Sequence, residues 1–147
     1  IIGSGANAIF LEFSSGDEGD PNAVSNNVIV NNNTKDNYWG IGLAGGFSSV
    51  NLSLFGNNIK NVNSGESLYV DSSDIENINI DIGSGNLGST GGNSLEGQII
   101  INGLVDNISA EYNWWGQSDG ASDDQFTGDY SIDNINVDNH LTIDPFQ

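Results

Sequence analysis

The sequence predicts an all-β chain coiled as a right-handed parallel β-helix, with about five coils and a period of roughly 27–31 positions per coil. Three observations predict this fold. Short runs rich in Ile, Val and Leu return at near-constant intervals along the 147 residues. Glycine is abundant, asparagine is more abundant still, and both favour tight corners with positive φ. No stretch carries the 3.6-residue period of an amphipathic helix. A chain of this length holds one core, so we expect a single domain over 1–147.

One series of strand-like runs begins near the start of the chain, and its runs return after about 27 to 32 positions. Each run alternates apolar and small residues, as a half-buried strand does. The runs of this series are Ile9–Leu11, Gly40–Leu43, Ser67–Val70 and Gln98–Ile101.

A second series lies out of phase with the first. Glu76–Ile80, Asp106–Ala110 and Asp133–Val137 match closely, and Ser49–Leu52 is a weaker copy. In a third series, Asn26–Val28 aligns with Asn57–Ile59 after a similar interval. The repeats together cover roughly 8–137 and indicate two or three short strands in each coil.

Strands of three to five residues bury too little surface to be stable as isolated hairpins. If each strand instead lies on its equivalent one repeat later, the backbone groups pair along the stack and the inward side chains form apolar columns. A β-propeller is the rival, but its blades need a longer period. The predicted core contains Ile41, Leu43, Val50, Leu52, Leu68, Val70, Ile78, Ile80, Ile99 and Ile101.

Two stretches resemble a known family. The pattern at Val50–Asn61, followed by a strand at Gly65–Val70, resembles the right-handed parallel β-helix repeat family. Asn113-Trp114-Trp115-Gly116, within a terminal segment over 112–147, is similar to the N-W-W-G ending of many secreted bacterial and archaeal β-helices. The resemblance implies the fold and an extracellular or cell-surface location. It does not choose a function, because that family includes glycan lyases, glycan hydrolases, adhesins and proteins without activity.

The net charge of −18 decides which partners the chain accepts. It has no Arg, and Lys35 and Lys60 are its only lysines. Nucleic-acid binding needs Lys and Arg to displace phosphate counterions, so the composition excludes it. No apolar run is long enough to span a membrane. With no Cys, neither disulfides nor cysteine metal sites contribute.

Cations are the natural counterions, and calcium is the candidate cofactor. Ca²⁺ takes six to eight oxygen ligands from carboxylates, amides and carbonyls. No turn matches a known calcium loop, so exposed acidic turns are the simpler interpretation. The three candidate clusters are Asp17, Glu18 and Asp20; Asp71, Asp74 and Glu76; and Asp119, Asp123, Asp124 and Asp129.

The remaining conspicuous side chains favour structural roles. Trp39, Trp114 and Trp115 suit packing over corners or over the last coil better than a sugar-stacking platform. His140 has no second His or Cys to share a metal. Asn57 and Asn58, like Asn26 and Asn27, suit internal ladders in which side-chain amides hydrogen-bond from coil to coil.

We expect no enzymatic activity. Glycan hydrolases of the resembled family carry several acidic and basic motifs, of which Asp123-Asp124 is the only formal match here. Lyases of that family commonly use Arg or Lys to abstract a proton, and neither Lys35 nor Lys60 adjoins an acidic cluster in the sequence. Two suitably spaced carboxylates could occur almost anywhere on so acidic a surface, so they indicate nothing specific.

The expected function is an extracellular structural subunit that stacks end to end, with itself as partner, into filaments or a surface assembly. A β-helix ends in unpaired backbone that templates further strands unless a cap covers it. No cap is evident in the first thirteen residues, where Ile9, Leu11 and Phe13 form the expected assembly interface. The alternatives are a carbohydrate-binding or glycan-processing module and a calcium-dependent adhesin segment.

Overall fold

The computed structural model describes residues 9–12, 22–25, 28–30, 39–44, 50–60, 65–71, 78–103, 107–130 and 135–147. Within these ranges the chain forms twelve short strands and no helix, so no described helix is long and apolar enough to cross a membrane. The all-β prediction is confirmed. The strands are β1 (Ile9–Glu12), β2 (Asn22–Ser25), β3 (Val28–Val30), β4 (Ile41–Ala44), β5 (Val50–Phe55), β6 (Asn58–Lys60), β7 (Glu66–Asp71), β8 (Ile78–Gly83), β9 (Ser94–Leu95), β10 (Gln98–Asn102), β11 (Asn107–Ala110) and β12 (Phe126–Gly128).

The strands form three parallel sheets, and successive strands of the chain enter different sheets. The first sheet has the order β1-β4-β7-β10-β12, the second β2-β5-β8-β11 and the third β3-β6-β9. Every pair of neighbouring strands in the described sheets is parallel. Parallel neighbours need a connection that returns the chain to the same end, and here the other two sheets provide it. This arrangement is compatible with a β-helix.

The first sheet has the register that the first series of runs predicts. Ile9 pairs with Ile41, Ile41 with Leu68, and Leu68 with Ile99, and the last strand adds Phe126. All four intervals lie within the spacing of about 27 to 32 positions expected for this series. Side chains at paired positions lie on the same face of a sheet, so these residues form one apolar column.

The second sheet follows the second series, with one error of register. Val50 pairs with Ile78 as expected, and Ser109 forms a bridge with Asn136 at the predicted interval. Ile108, however, pairs with Ile80 and not with Ile78, so the predicted alignment of Asp106–Ala110 was wrong by two positions. A shift of two positions leaves every side chain on its original face, and the hydrophobic pattern alone cannot detect it.

The third sheet departs most from the expected spacing. Val28 pairs with Asn58, whereas the predicted repeat aligns it with Ile59, so this prediction was wrong by one position. Asn58 pairs with Ser94 after a long interval, and Ser94 bridges to Trp114 after a short one. The long interval arises because residues 84–93 form a loop between β8 and β9. The next interval is short, so the two intervals together average close to the expected period.

That loop is held on the second sheet by a buried carboxylate. Asp81 is 1% exposed and lies between Ile80 and Ile82 in β8, so it points away from the core that they enter. Its oxygens accept hydrogen bonds from the backbone N–H groups of the loop, at Gly85 (2.9 Å), Leu87 (3.0 Å) and Ser89 (3.0 Å). Asp81 therefore anchors a loop that covers part of the sheet's outer face.

The core is an apolar cluster between the three sheets. All eight predicted core residues whose side chains are described are at most 2% exposed, which confirms them. The side chains of Val50 and Ile78, the other two predicted core residues, lie outside those that the structure describes. Leu54, Ile59, Ile82 and Leu95 are also buried, and Trp115, Phe126 and Ile135 extend the cluster to the C-terminal end. The eight confirmed residues are Ile41, Leu43, Leu52, Leu68, Val70, Ile80, Ile99 and Ile101.

Candidate functional site

The last described segment, residues 135–147, lies along the C-terminal edge of the sheets, and we call it the strap. The Ala110 N–H donates to the carbonyl of Asn136 (2.9 Å), so the strap pairs with β11, the outermost strand of the second sheet. The Leu141 N–H donates to the carbonyl of Asn113 (2.9 Å), next to the bridge between Trp114 and Ser94. The strap therefore supplies the last described pairings in two of the three sheets.

Three side chains, which we call the latch, tie the strap to the third sheet. Nζ of Lys60, at the end of β6, bonds to Oδ2 of Asp144 in the strap and lies 3.3 Å from Oε1 of Glu96. The Asp144 side chain is fully buried, and its Oδ1 accepts a hydrogen bond from the Phe146 N–H (3.0 Å). The Lys60 side chain is 19% exposed and that of Glu96 is 32% exposed. The latch thus joins residues far apart in the chain.

The electrostatics of the latch favour the charged state of both main partners. Burial alone would lower the pKa of Lys60, but the hydrogen bond to Asp144 and the charge of Glu96 outweigh it and raise that pKa above 10.5. Burial alone would raise the pKa of Asp144, but the hydrogen bonds from Lys60 and from the Phe146 N–H hold it below 3.8. The pair is therefore ionised over the whole range between these two values.

A ladder of asparagine amides runs along the interior beside the third sheet. Nδ2 of Asn57 donates to Oδ1 of Asn93 (2.9 Å), and Nδ2 of Asn93 donates to Oδ1 of Asn113 (2.8 Å). All three residues are 0% exposed. The Asn113 amide also donates to the carbonyl of Ala110 (2.9 Å). The ladder predicted at Asn57 is confirmed, and its partners are residues that the repeat spacing did not identify.

The four residues of the N-W-W-G motif occupy structural positions. Asn113 ends the amide ladder, and Trp114 accepts a hydrogen bond at its carbonyl from the Leu95 N–H (2.8 Å). Trp115 is 3% exposed and packs edge to face on Phe126, with 5.3 Å between ring centroids. Gly116 turns the chain with φ at +86°, a conformation that glycine adopts without strain. The motif closes a row of the third sheet and adds aromatic volume to the core.

An open groove of about 460 Å³ lies beside this motif. Its polar side chains include Gln98, Gln117, Gln125, Glu96 and Asp124. Trp115 and three glycines contribute to its wall. Gln125 is itself engaged, since its Nε2 donates to the carbonyls of Leu95 (3.0 Å) and Trp115 (3.2 Å). Amide and carboxylate groups are suited to the hydroxyl groups of an uncharged polar ligand.

The acidic residues proposed for calcium are only partly described. Asp17, Glu18, Asp20, Asp74 and Glu76 lie outside the described ranges. In the rest of the chain, no three His, Cys, Asp or Glu side chains come close enough together to hold a metal ion. The third cluster is engaged locally: Asp119 accepts from Ser118 Oγ (2.9 Å), Asp124 from Ser122 Oγ (2.6 Å) and Asp129 from the Gly103 N–H (2.6 Å), while Asp123 is exposed.

The residues proposed for assembly lie at the opposite edge of the first sheet. Ile9 is half-buried and packs against the core, and the backbone of Leu11 pairs with Leu43. Phe13 lies outside the described residues. Trp39 stacks on Tyr69, with 4.0 Å between ring centroids and 6° between ring planes, so it does not join Trp114 and Trp115 in a common platform.

Sequence reasoning missed the latch and the anchor of the loop. Lys60 and Asp144 are 84 positions apart, and no spacing rule connects them. Asp81 sits in an alternating strand, and only the cluster of glycines that follows it gave a sign of a loop. His140, expected to be structural, places Nε2 3.2 Å from the carbonyl of Ser118.

Comparison with protein-family models, with curated proteins and with solved structures found no match for this chain. Its sequence and geometry are therefore the basis for the function proposed below.

Proposed function

We propose that the chain is a right-handed parallel β-helix and an extracellular structural subunit that associates end to end with further copies. The interleaved order of the strands supports the fold, since each sheet receives one strand in turn as the chain advances. The apolar columns and the asparagine ladder support it too, because both run from one strand to its equivalent in the next repeat. The resemblance to secreted β-helices supports the location.

One observation carries the proposed assembly. Among the described strands, β1, β2 and β3 each form an outer edge of their own sheet, and all three sheets have their later strands on the other side. An edge strand presents unpaired N–H and C=O groups that accept another strand. Three such edges on one end of a β-helix form a continuous surface for a second copy.

The apolar columns and the charge favour this end-to-end contact. Ile9 and Leu11 occupy register positions that continue the columns of Ile41 and Leu43. Burying two such side chains on association contributes about 3–6 kcal/mol before the cost of ordering two molecules. The net charge of −18 opposes contacts between the sides of two molecules, because like charges repel across short distances. Axial growth is then the favoured mode, and a contact of this kind does not close on itself.

Sedimentation velocity and electron microscopy over a concentration series test the proposal. We expect linear assemblies that lengthen with concentration. The Leu11→Asp variant should remain monomeric, because it places a charge in the continued column while its circular dichroism stays that of a β protein. The matched control is Glu12→Gln, which alters the adjacent residue of the same strand without adding a charge to the column. Protein that stays monomeric at the highest attainable concentration, both as wild type and as the Asp144→Asn variant, contradicts the proposal.

The groove supports a second candidate, a carbohydrate-binding module. Its lining of three glutamines and two carboxylates offers both donors and acceptors to sugar hydroxyl groups. Because Trp115 is almost fully buried, recognition would depend on these polar groups and not on stacking. Titration with neutral oligosaccharides, followed by tryptophan fluorescence, should give a saturable change that the Gln98→Ala variant weakens. The absence of a saturable change with a broad glycan panel excludes this candidate.

A further inference from the structure

We propose that the strap is an inhibitory cap, which the latch holds across the edges that another copy of this chain would extend. The inference rests on the proposed function, because it concerns the regulation of the same end-to-end contact. It adds that the two ends differ: the end formed by β1, β2 and β3 is the accepting surface, and at the opposite end the second and third sheets are covered until the strap is released.

The strap occupies positions that an incoming molecule needs. Its Asn136 accepts the hydrogen bond from Ala110 of β11, and its Leu141 donates to Asn113. These are the outermost described pairings of the second and third sheets. In an end-to-end contact, β2 and β3 of the next molecule would take the same positions, because each belongs to the corresponding sheet. The strap and a second copy therefore compete for one surface.

The attachment of the strap to the sheets depends largely on the latch. At the start of the strap, Ile135 is 5% exposed within the core cluster and Val137 packs against that cluster, whereas Asp144 is the single buried residue from 138 to 147. Ile143 is 72% exposed and Phe146 is 39% exposed, so the two large apolar side chains near Asp144 contribute little burial. Asn139 adds a hydrogen bond to Glu111 (2.8 Å) that is exposed to water. Beyond Val137, where little apolar surface is buried, the ion pair of Lys60 and Asp144 is the main anchor of the strap.

The contacts of the strap indicate which part of it would detach first. Asp144 is fixed to Lys60 in β6, well inside the third sheet, whereas Leu141 pairs beyond Trp114 at its end. Asp144 lies three positions after Leu141, so loss of the latch frees the part of the strap after Leu141 first. The short pairings at Asn136 and Leu141 then remain, and a second copy with longer strands can displace them.

Two latch variants of the full chain test the inference at neutral pH. Asp144→Asn keeps the size of the side chain and removes its charge, and Lys60→Met removes the ammonium and keeps the apolar stem. Both should lower the concentration at which assembly begins by about tenfold or more, as expected for loss of a buried charge-assisted bond. Asp123→Asn is the control, since it removes one exposed carboxylate outside the strap and should leave that concentration nearly unchanged.

Hydrogen exchange in the monomer gives a second readout that does not require assembly. The Leu141 amide should exchange at least tenfold faster in the latch variants, while amides of β7 and β10 keep their protection. If Asp144→Asn fails to fold, Glu96→Gln removes the more distant carboxylate and should give a smaller change in the same direction.

The outcomes separate the two proposals. If wild-type protein assembles and the latch variants begin to assemble at the same concentration, with unchanged exchange at Leu141, the strap is not an inhibitory cap and the proposed function stands. If neither wild type nor latch variants assemble, yet Leu141 exchanges faster in the variants, the proposed function is wrong although the latch holds the strap. If the latch variants begin to assemble at a lower concentration than wild type, and the additional change Leu11→Asp abolishes this assembly, the results support both proposals.

Discussion

Replacing Asn93 with alanine tests whether the buried amide ladder holds the repeats together. The Asn93 side chain takes part in five hydrogen bonds, all within the interior. Its Oδ1 accepts from the backbone and the side chain of Asn57, each at 2.9 Å. Its Nδ2 contacts the carbonyls of Leu54 (3.1 Å) and Ile82 (3.0 Å) and Oδ1 of Asn113 (2.8 Å). Alanine removes all five and leaves a small cavity.

The expected loss of stability follows from what each partner retains. The Leu54 carbonyl keeps a hydrogen bond from Ser89 Oγ (2.6 Å), and the Ile82 carbonyl keeps one from Asn113 (3.2 Å). Oδ1 of Asn113 keeps the bond from the Asn93 backbone N–H (3.0 Å). The main loss is therefore at the two donors of Asn57. At about 1–3 kcal/mol for each buried donor that loses its partner, Asn93→Ala should reduce the free energy of unfolding by about 3–5 kcal/mol.

Urea and thermal unfolding, followed by circular dichroism, measure this cost. For a chain of this size, a loss of about 3–5 kcal/mol lowers the melting temperature by about 10 °C. Asn79→Ala is the matched control: its Nδ2 donates to Asn51 (2.8 Å) in a partly buried bond on the second sheet, and loss of that bond should cost about 1 kcal/mol. Equal effects of the two substitutions would refute the reasoning that the interior ladder is the more important one.

Four further predictions concern the loop, one glycine, pH and metal. Asp81→Ala should release the loop at 84–93, seen as rapid proteolysis there, because three backbone donors lose their acceptor; slow cleavage equal to wild type would contradict this. Gly83→Ala should reduce the yield of soluble folded protein, because its Cβ would overlap the carbonyl oxygen of Glu111. Gly88→Ala is the control, since its Cβ meets no neighbour and only its positive φ causes strain. Equal yields of the two variants would contradict this. Because the folded pKa of Asp144 is lowered, its stabilising effect is present above pH 3.8 and is lost as pH falls through the folded value; Asp144→Asn should remove that part of the acid sensitivity of the melting temperature. If the acidic turns bind Ca²⁺, excess chelator should lower the melting temperature at matched ionic strength, and an unchanged curve would exclude calcium as a stabilising ligand.

The first sheet could be predicted from the sequence because its signal is local and repeated. Runs such as Ile41-Gly42-Leu43 and Ile99-Ile100-Ile101 place apolar residues two apart, and the interval between runs stays close to the mean. The alternation of side chains within each run and the interval between runs then indicate the same register. The same information fails for Ile108, since alignments with Ile78 and with Ile80 put identical side chains on identical faces. The structure pairs Ile108 with Ile80, and the alternating pattern does not distinguish the two alignments.

The third sheet and the site could not be predicted for a different reason. Ser94 follows its partner Asn58 after an unusually long interval, because the loop after β8 lengthens that repeat. A search at a fixed interval therefore passes over Asn93, although Asn57 was expected to stack on another asparagine. No repeat interval relates Lys60 to Asp144. Their pairing depends on where the strap lies relative to the third sheet, so it belongs to the tertiary structure.

The two buried carboxylates show why only one of them suits a latch. Asp81 is satisfied by N–H groups of residues 85–89, which lie in the loop that it anchors, so its bonds form whenever that loop forms. Asp144 depends on an ammonium group 84 positions away in a chain with very few positive charges. Among the described residues Lys60 is the one lysine, and its removal leaves the buried carboxylate of Asp144 without a cation. The contact of Lys60 with Asp144 therefore responds to charge, whereas that of Asp81 responds only to local folding. For this reason we place the control of the strap, and with it the control of end-to-end growth, at Lys60 and Asp144.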